Sequence, residues 1–273
     1  MTRTKLVTTC ATTLFVALSL VACDQGSGSS FARKSTTTSS QQSPVDDGTS
    51  SNGEENELPD DADTGDAGDA TGQPAPALSA VDINAARTAL GSLPTRGFSP
   101  NIPKYDRNEF GKPWSDDVTV DGGHNGCDTR NDILARDLTD VEFKPAKRNC
   151  IVTKGKLNDP YTNTTIEFKR GRKSSDLIPI DHVVALGDAW YSGAYQWDAD
   201  RRRNFANDPI NLQATNRESN TQKSAKNAAE WLPPNTAYQC EYVGRQITIK
   251  STYGLSVTPA EKTAMEKVLA TCS

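Results

Sequence analysis

Ile180-Asp181-His182-Val183-Val184 decides the reading, and it is answered downstream by Asp208-Pro209-Ile210-Asn211-Leu212, then Asn216, Asn220 and Lys223. Ile178 to Val184 reads as an apolar strand and Pro209 to Ala214 as a short strand or extended turn. Glu218 to Trp231 reads as a helix that stops before Pro233-Pro234. Strand, excursion, strand and helix can bring Asp181, His182 and Asn220 together. Neighbouring strand residues point to opposite faces. Asp181 and His182 are therefore expected at a strand end, where the backbone turns both toward one cleft. A carboxylate and an amide carbonyl are oxygen ligands suited to Mg²⁺, with Mn²⁺ as a substitute. Imidazole has the ordinary pKa that suits a general base near neutral pH. Such a set can act on a phosphodiester.

The stretch between the two strands, Gly187 to Asn207, reads as a helical excursion whose aromatics Trp190, Tyr191, Tyr195, Trp197 and Phe205 pack a small core. Arg201, Arg202 and Arg203 either face solvent on that helix or contact phosphates. Upstream, Val81 to Leu93 has apolar residues four apart and reads as a helix. Tyr105, Phe110 and Trp114 read as anchors in a polar, turn-rich segment. Thr129 to Leu138 reads as a short helix, and Val141 to Phe143, Asn149 to Thr153 and Thr164 to Phe168 as extended. Gln246 to Lys250 alternates like a strand, and Pro259 to Ala270 reads as a closing helix.

The runs Cys127-Asp128-Thr129-Arg130-Asn131-Asp132, Asp181-His182-Val183-Val184-Ala185-Leu186, Ala206-Asn207-Asp208-Pro209 with Asn211-Leu212, Asn220 with Lys223, and Trp231-Leu232-Pro233-Pro234 carry a family resemblance. Residues 178–234 resemble the HNH, or beta-beta-alpha-metal, domain at the carboxyl end of GmrSD-like restriction endonucleases. The wider span 124–272 resembles exported actinobacterial HNH-family endonucleases. The resemblance implies an α+β fold with a beta-beta-alpha-metal (His-Me finger) core at about 176–234, inside a domain of residues 77–273 with helical and strand additions. It implies His182 as general base and Asp181 as the metal-binding acid. Asn220 is the implied last ligand, with Asn216 and Asn227 as alternatives. Asn211 is implied to brace the loop and orient His182 without touching metal. Lys223 either contacts phosphate or faces solvent. Arg130 either supports the site with Asp128 or grips phosphate itself. The implied substrate is DNA, with RNA as the alternative, and the implied products carry 5′-phosphate and 3′-hydroxyl ends. The competing reading is a catalytically inactive nucleic-acid-binding or structural envelope lipoprotein on the same scaffold.

Composition divides the rest of the chain. Arg3 and Lys5 precede an apolar stretch ending in Leu20-Val21-Ala22-Cys23, which reads as an export signal over residues 1–22. The ending resembles a bacterial lipobox, so lipid on Cys23 is expected to tether the protein outside the membrane as a cell-surface lipoprotein; the alternative is a plain signal peptide and a secreted protein without the anchor. Residues 24–75 carry eleven acidic and two basic residues. Such a segment has too little apolar surface to offset its ordering entropy, so 23–76 reads as a disordered acidic linker. The whole-chain charge of −5 therefore misleads, because residues 76–273 hold 26 basic and 24 acidic residues. A near-neutral domain permits nucleic-acid binding without demanding it. A monomer is expected.

Four cysteines fall in the domain: Cys127, Cys150, Cys240 and Cys272. An even number in an exported chain suggests two disulfides with three pairings open, the local pairs Cys127–Cys150 and Cys240–Cys272 being favoured. A four-cysteine zinc site is the competitor, although the spacings lack a Cys-x-x-Cys knuckle. The sequence contains no Gly-x-Ser-x-Gly elbow and no His-Glu-x-x-His, which argues against the common exported hydrolases. The second histidine, His124, lies in a Gly-rich turn and reads as exposed and inert.

Overall fold

The computed structural model describes residues 81–97, 99–146, 149–172 and 174–273. The expected signal, the Cys23 lipidation site and the acidic linker lie outside the described residues. The fold is α+β. Helix α1 (Ile83–Ser92) starts at Asp82, whose carboxylate accepts from the backbone N–H groups of Asn84 and Ala85 at 2.9 and 3.0 Å. Helix α2 (Thr129–Asp137) is capped in the same way by Asp128, which accepts from Asn131 N–H at 2.8 Å. Each cap satisfies donors that the first helical turn leaves unpaired.

Strands β1 (Leu138–Phe143), β2 (Val152–Asp159) and β3 (Thr164–Lys169) follow as an antiparallel sheet in sequential order. The turn between β2 and β3 places Asn163 at φ 55°, a left-handed conformation that asparagine tolerates better than most residues. A second, two-stranded pair joins β4 (Ile180–His182) to β5 (Leu212–Ala214), antiparallel, with Asp181 opposite Gln213 and His182 opposite Leu212. Between them run α3 (Leu186–Ser192) and α4 (Ala199–Asn207), separated by Gly193 at φ 139° and a 3-10 turn over Ala194–Gln196. The expected excursion is thus two helices. Helix α5 (Arg217–Lys223) follows β5 and completes the β4–β5–α5 unit.

Two expectations change. The helix predicted over Glu218 to Trp231 ends at Lys223, because Ser224 takes a left-handed φ of 49°. Gln246 to Lys250 is not a strand but the middle of α6 (Gln239–Tyr253). The alternation misled because this helix is buried nearly all round, from Tyr242 through Ile247 and Ile249 to Tyr253. Only a narrow stripe, Glu241, Thr248, Ser251 and Thr252, meets solvent, so the amphipathic period is weak and Gln246 to Lys250 shows little of it. Its polar residues are answered inside: Lys250 Nζ reaches Asp188 at 2.7 Å and Glu261 at 2.6 Å. Helix α7 (Pro259–Leu269) closes the chain with a Thr258/Glu261 capping box. No helix among the described residues is long and apolar enough to cross a membrane.

Disulfides join Cys127 to Cys150 and Cys240 to Cys272. The first ties the start of α2 to the approach to β2. The second ties α6 to the end of α7. Two apolar clusters flank the β4–β5 pair. One gathers α2, the three-stranded sheet, Ile180 and Leu212. The other gathers Tyr161, the excursion helices, α6 and α7.

Candidate active site

His182 is the last residue of β4 and is only 7% exposed. Its Nε2 lies 2.9 Å from the carbonyl oxygen of Ala206. A carbonyl only accepts, so Nε2 carries the proton and Nδ1 keeps its lone pair. The ring of Trp114 lies parallel to the imidazole, 6.0 Å between centroids and 13° between planes. Burial pushes the His182 pKa down to about 3, assisted by the positive charges of Arg107 and Lys223 and opposed by the bond to Ala206. The imidazole is therefore neutral through the neutral pH range, the state a base needs. Its burial also makes it a poor proton acceptor until water reaches it.

Asn211, fully buried just before β5, holds the turn that follows His182. Its Oδ1 accepts from Val184 N–H at 2.8 Å, its Nδ2 donates to Val184 O at 3.3 Å, and its own carbonyl accepts from Val183 N–H at 2.7 Å. It makes no bond to the imidazole. Its influence on His182 runs through the backbone of Val183 and Val184.

Asp181 points into a different set of partners. Tyr161 Oη donates to Oδ2 at 2.7 Å, and Lys223 Nζ donates to Oδ1 at 2.9 Å. Lys223 also donates to the carbonyl of His182 at 2.8 Å. It is completely buried, so it neither faces solvent nor reaches outward to phosphate, contrary to both expectations. Burial, followed by the neighbouring Asp181 charge, pushes the Tyr161 phenol well above its usual range, and it stays a proton donor. The strand end does not gather Asp181 and His182 onto shared side-chain partners. The carboxylate meets Tyr161 and Lys223, and the imidazole meets Trp114.

Of the three asparagines offered as last ligand, two already use their amide oxygen on a backbone N–H. Asn216 caps α5 by accepting from Ser219 N–H at 2.9 Å, and Asn227 accepts from Ala229 N–H at 2.9 Å. The Asn220 side chain, half-buried and one turn before Lys223 on α5, makes no hydrogen bond among the described residues. Of the residues expected to bind an ion, that leaves one carboxylate, Asp181, and one amide oxygen, Asn220, as candidates. Each carboxylate oxygen has one bond and retains an acceptor site. Hard oxygen donors of this kind fit Mg²⁺. Among the described residues no group of three or more His, Cys, Asp or Glu is placed to hold a metal. Lys223 opposes an ion directly. At roughly 4 Å and an effective dielectric constant near 20, an ammonium and a divalent ion repel by about 8 kcal/mol. Occupation of Asp181 therefore requires Lys223 to leave Oδ1.

The arginines expected to meet phosphate are tied to protein acceptors. Arg130 donates to the carbonyls of Ser175 and Ile178, both at 3.1 Å, and so fixes the chain entering β4. Asp128 is occupied by its cap and by Asn131 Nδ2 at 2.6 Å. Arg201 donates to Tyr253 O and lies over Trp197. Arg202 donates to Trp197 O and pairs with Glu109 at 2.9 Å. Arg203 donates to Asp117 O and pairs with Asp200 at 3.2 Å. Arg202 and Arg203 strap the segment 109–117 to α4, and Arg201 ties α4 to the end of α6, so the three do not form a free basic strip. His124 is exposed, 4.0 Å from Asp117, at φ 58°. A cleft of about 450 Å³ on the outer flank of α5, lined by Ile166, Leu177, Asn216, Arg217 and Thr221, includes neither Asp181 nor His182.

Sequence reasoning missed Tyr161 and the roles of Lys223 and Trp114. Tyr161 follows an Asp-Pro turn and carries no motif. The one available signal was three anchoring aromatics, Tyr105, Phe110 and Trp114, in an otherwise polar segment.

Comparison with known proteins agrees with the architecture. The sequence model of the family described as GmrSD restriction endonucleases, C-terminal domain, matches residues 128–268. An uncharacterized secreted protein of Arthroderma benhamiae is 37% identical over 203 residues, covering 73% of this chain and 92% of that protein. That relative is fungal, so the likeness is not confined to actinobacterial proteins. No solved structure matches significantly. Such a family assignment carries a hydrolase-type nuclease activity, nucleic acid as partner and, in general, a metal-dependent mechanism.

Proposed function

The chain belongs to the family of GmrSD restriction endonuclease C-terminal domains, and from that premise we propose that it is an exported endonuclease hydrolysing phosphodiester bonds of DNA, with RNA as the alternative substrate. The observation that carries the reading is the fixed tautomer of His182. Nε2–H is bonded to Ala206 O, which leaves Nδ1 as the basic atom. In the proposed reaction Nδ1 takes a proton from water as the water oxygen forms its bond to phosphorus. The P–O3′ bond breaks, leaving a 5′-phosphate and a 3′-oxygen that is protonated from solvent. Asn211 holds the turn that keeps His182 at the strand end. Asp181 and Asn220 would hold the ion, magnesium with manganese as a substitute, whose charge stabilises the phosphate and the departing oxygen. The secreted fungal relative and the two disulfides support export, and lipid on Cys23 would tether the exported protein as a monomer.

One observation favours a second reading. Lys223 already neutralises Asp181, as it would in a nucleic-acid-binding or structural lipoprotein that has lost catalysis. Incubating the full chain, disulfides intact, with plasmid DNA or RNA and Mg²⁺ or Mn²⁺ separates the two. Metal-dependent cleavage that falls at least a hundredfold in His182→Ala is expected for a lost general base. No cleavage by folded protein in any combination would give the field to the second reading.

A further inference from the structure

We propose that the segment Tyr105 to Trp114, which lies ahead of the family-matched residues, completes the active site: Trp114 is a positioning residue for the His182 ring, and Arg107 receives a substrate phosphate. The proposal rests on the nuclease reading above. Trp114 stacks on the imidazole, so with Nε2 bonded to Ala206 the ring is fixed both in its plane and at one edge. The backbone that carries the indole is held in turn. The Trp114 main-chain carbonyl accepts from Thr129 N–H at 3.3 Å, and the next carbonyl, of Ser115, accepts from Thr129 Oγ1 at 3.0 Å. Trp114 has φ 56°. A bulky residue in the left-handed region is strained by about 1–3 kcal/mol and persists where its surroundings over-determine it, most often at functional sites.

The same segment presents Arg107 from a rigid mount. Asp106 caps the 3-10 turn Arg107–Phe110 by accepting from Asn108 N–H at 2.9 Å. Phe110 is buried against Trp190 and Phe205. Glu109 is held by Arg202 through both its carbonyl and its carboxylate. Arg107 itself is exposed and makes no ion pair among the described residues, unlike Arg202 and Arg203 of α4. An exposed guanidinium without a carboxylate, on the same segment as the ring that stacks on the base, suits a phosphate oxygen.

The experiment uses the full chain and three readouts. Binding of a fluorescein-labelled duplex DNA is measured in EDTA across a salt series. Cleavage is measured with Mg²⁺. Modification by diethyl pyrocarbonate is followed by mass spectrometry, which is simple because the chain has two histidines. Arg107→Gln is expected to weaken binding about tenfold and lower the salt slope by about one, with Arg107→Lys restoring most of it. Trp114→Ala is expected to expose His182 to the reagent and lower kcat at least tenfold with KM nearly unchanged, and Trp114→Phe to restore both. In the wild type only His124 reacts quickly. Unchanged affinity and salt slope in Arg107→Gln, or an unreactive His182 with full kcat in Trp114→Ala, overturns the proposal while leaving the nuclease reading intact. A wild-type chain that cleaves nothing overturns both.

Discussion

Replacing Lys223 with Met tests the centre of the site most sharply. Lys223 is fully buried and Asp181 is 5% exposed, 2.9 Å apart. Met keeps most of the apolar stem and removes the ammonium. Asp181 is then left with the Tyr161 hydroxyl as its remaining side-chain partner, and the His182 carbonyl loses a donor. Breaking a buried pair from one side costs about 3–5 kcal/mol, because the surviving charge stays desolvated. For a domain of this size that lowers Tm by roughly 6–20 °C. Removing both charges in Asp181→Asn/Lys223→Met relieves the uncompensated carboxylate. Urea unfolding of the four proteins of the cycle, disulfides intact, should give a coupling of about 2–3 kcal/mol. Manganese titration followed by electron paramagnetic resonance adds a second readout. With the ammonium gone, Lys223→Met should bind Mn²⁺ at least tenfold more tightly than the wild type. Additive single effects, or a cost for Lys223→Met below about 1 kcal/mol, would refute the buried-pair argument. Unchanged Mn²⁺ affinity in the folded variant would refute the antagonism between Lys223 and the ion.

Two further outcomes concern Asp132, in the first turn of α2, and the two disulfides. Burial pushes the Asp132 pKa up to about 7, against the hydrogen bond from Asn125 and with the help of Asp128 and Asp116. The folded state then binds the extra proton between about pH 4 and 7. This residue's contribution to stability is fully present below pH 4 and is lost as pH rises through 7, by up to roughly 4 kcal/mol. Asp132→Asn should be more stable than the wild type at pH 7.5 and show no such gain at pH 4, read from urea midpoints at both. The disulfides close loops of 23 and 32 residues by sequence separation. Replacing either pair with serine should lower stability by roughly 3 kcal/mol, read by chemical denaturation. Loss of Cys127–Cys150 should impair cleavage more, because that bridge pins the start of α2 behind Trp114.

Much of the candidate site was legible before any coordinates. Asp181-His182, Asn211 and Asn220 lie within or beside short elements whose strand or cap character is written in a few adjacent residues. Asp82, Asp128, Asn216 and Thr258 cap their helices through bonds to residues two or three positions on. The local disulfide pairing belongs to the same class, since loop length alone favours it. The tertiary structure decided what answers each buried charge. Tyr161 reaches Asp181 across 20 positions and Lys223 across 42. Trp114 covers His182 from another segment altogether, and α6 is a helix packed on most of its circumference, whatever its local alternation of residues. A cap or a turn is settled by neighbours a few bonds away, so it can be read along the chain. The partner of a desolvated carboxylate, and the ring that covers an imidazole, are settled by which surfaces meet when the core closes.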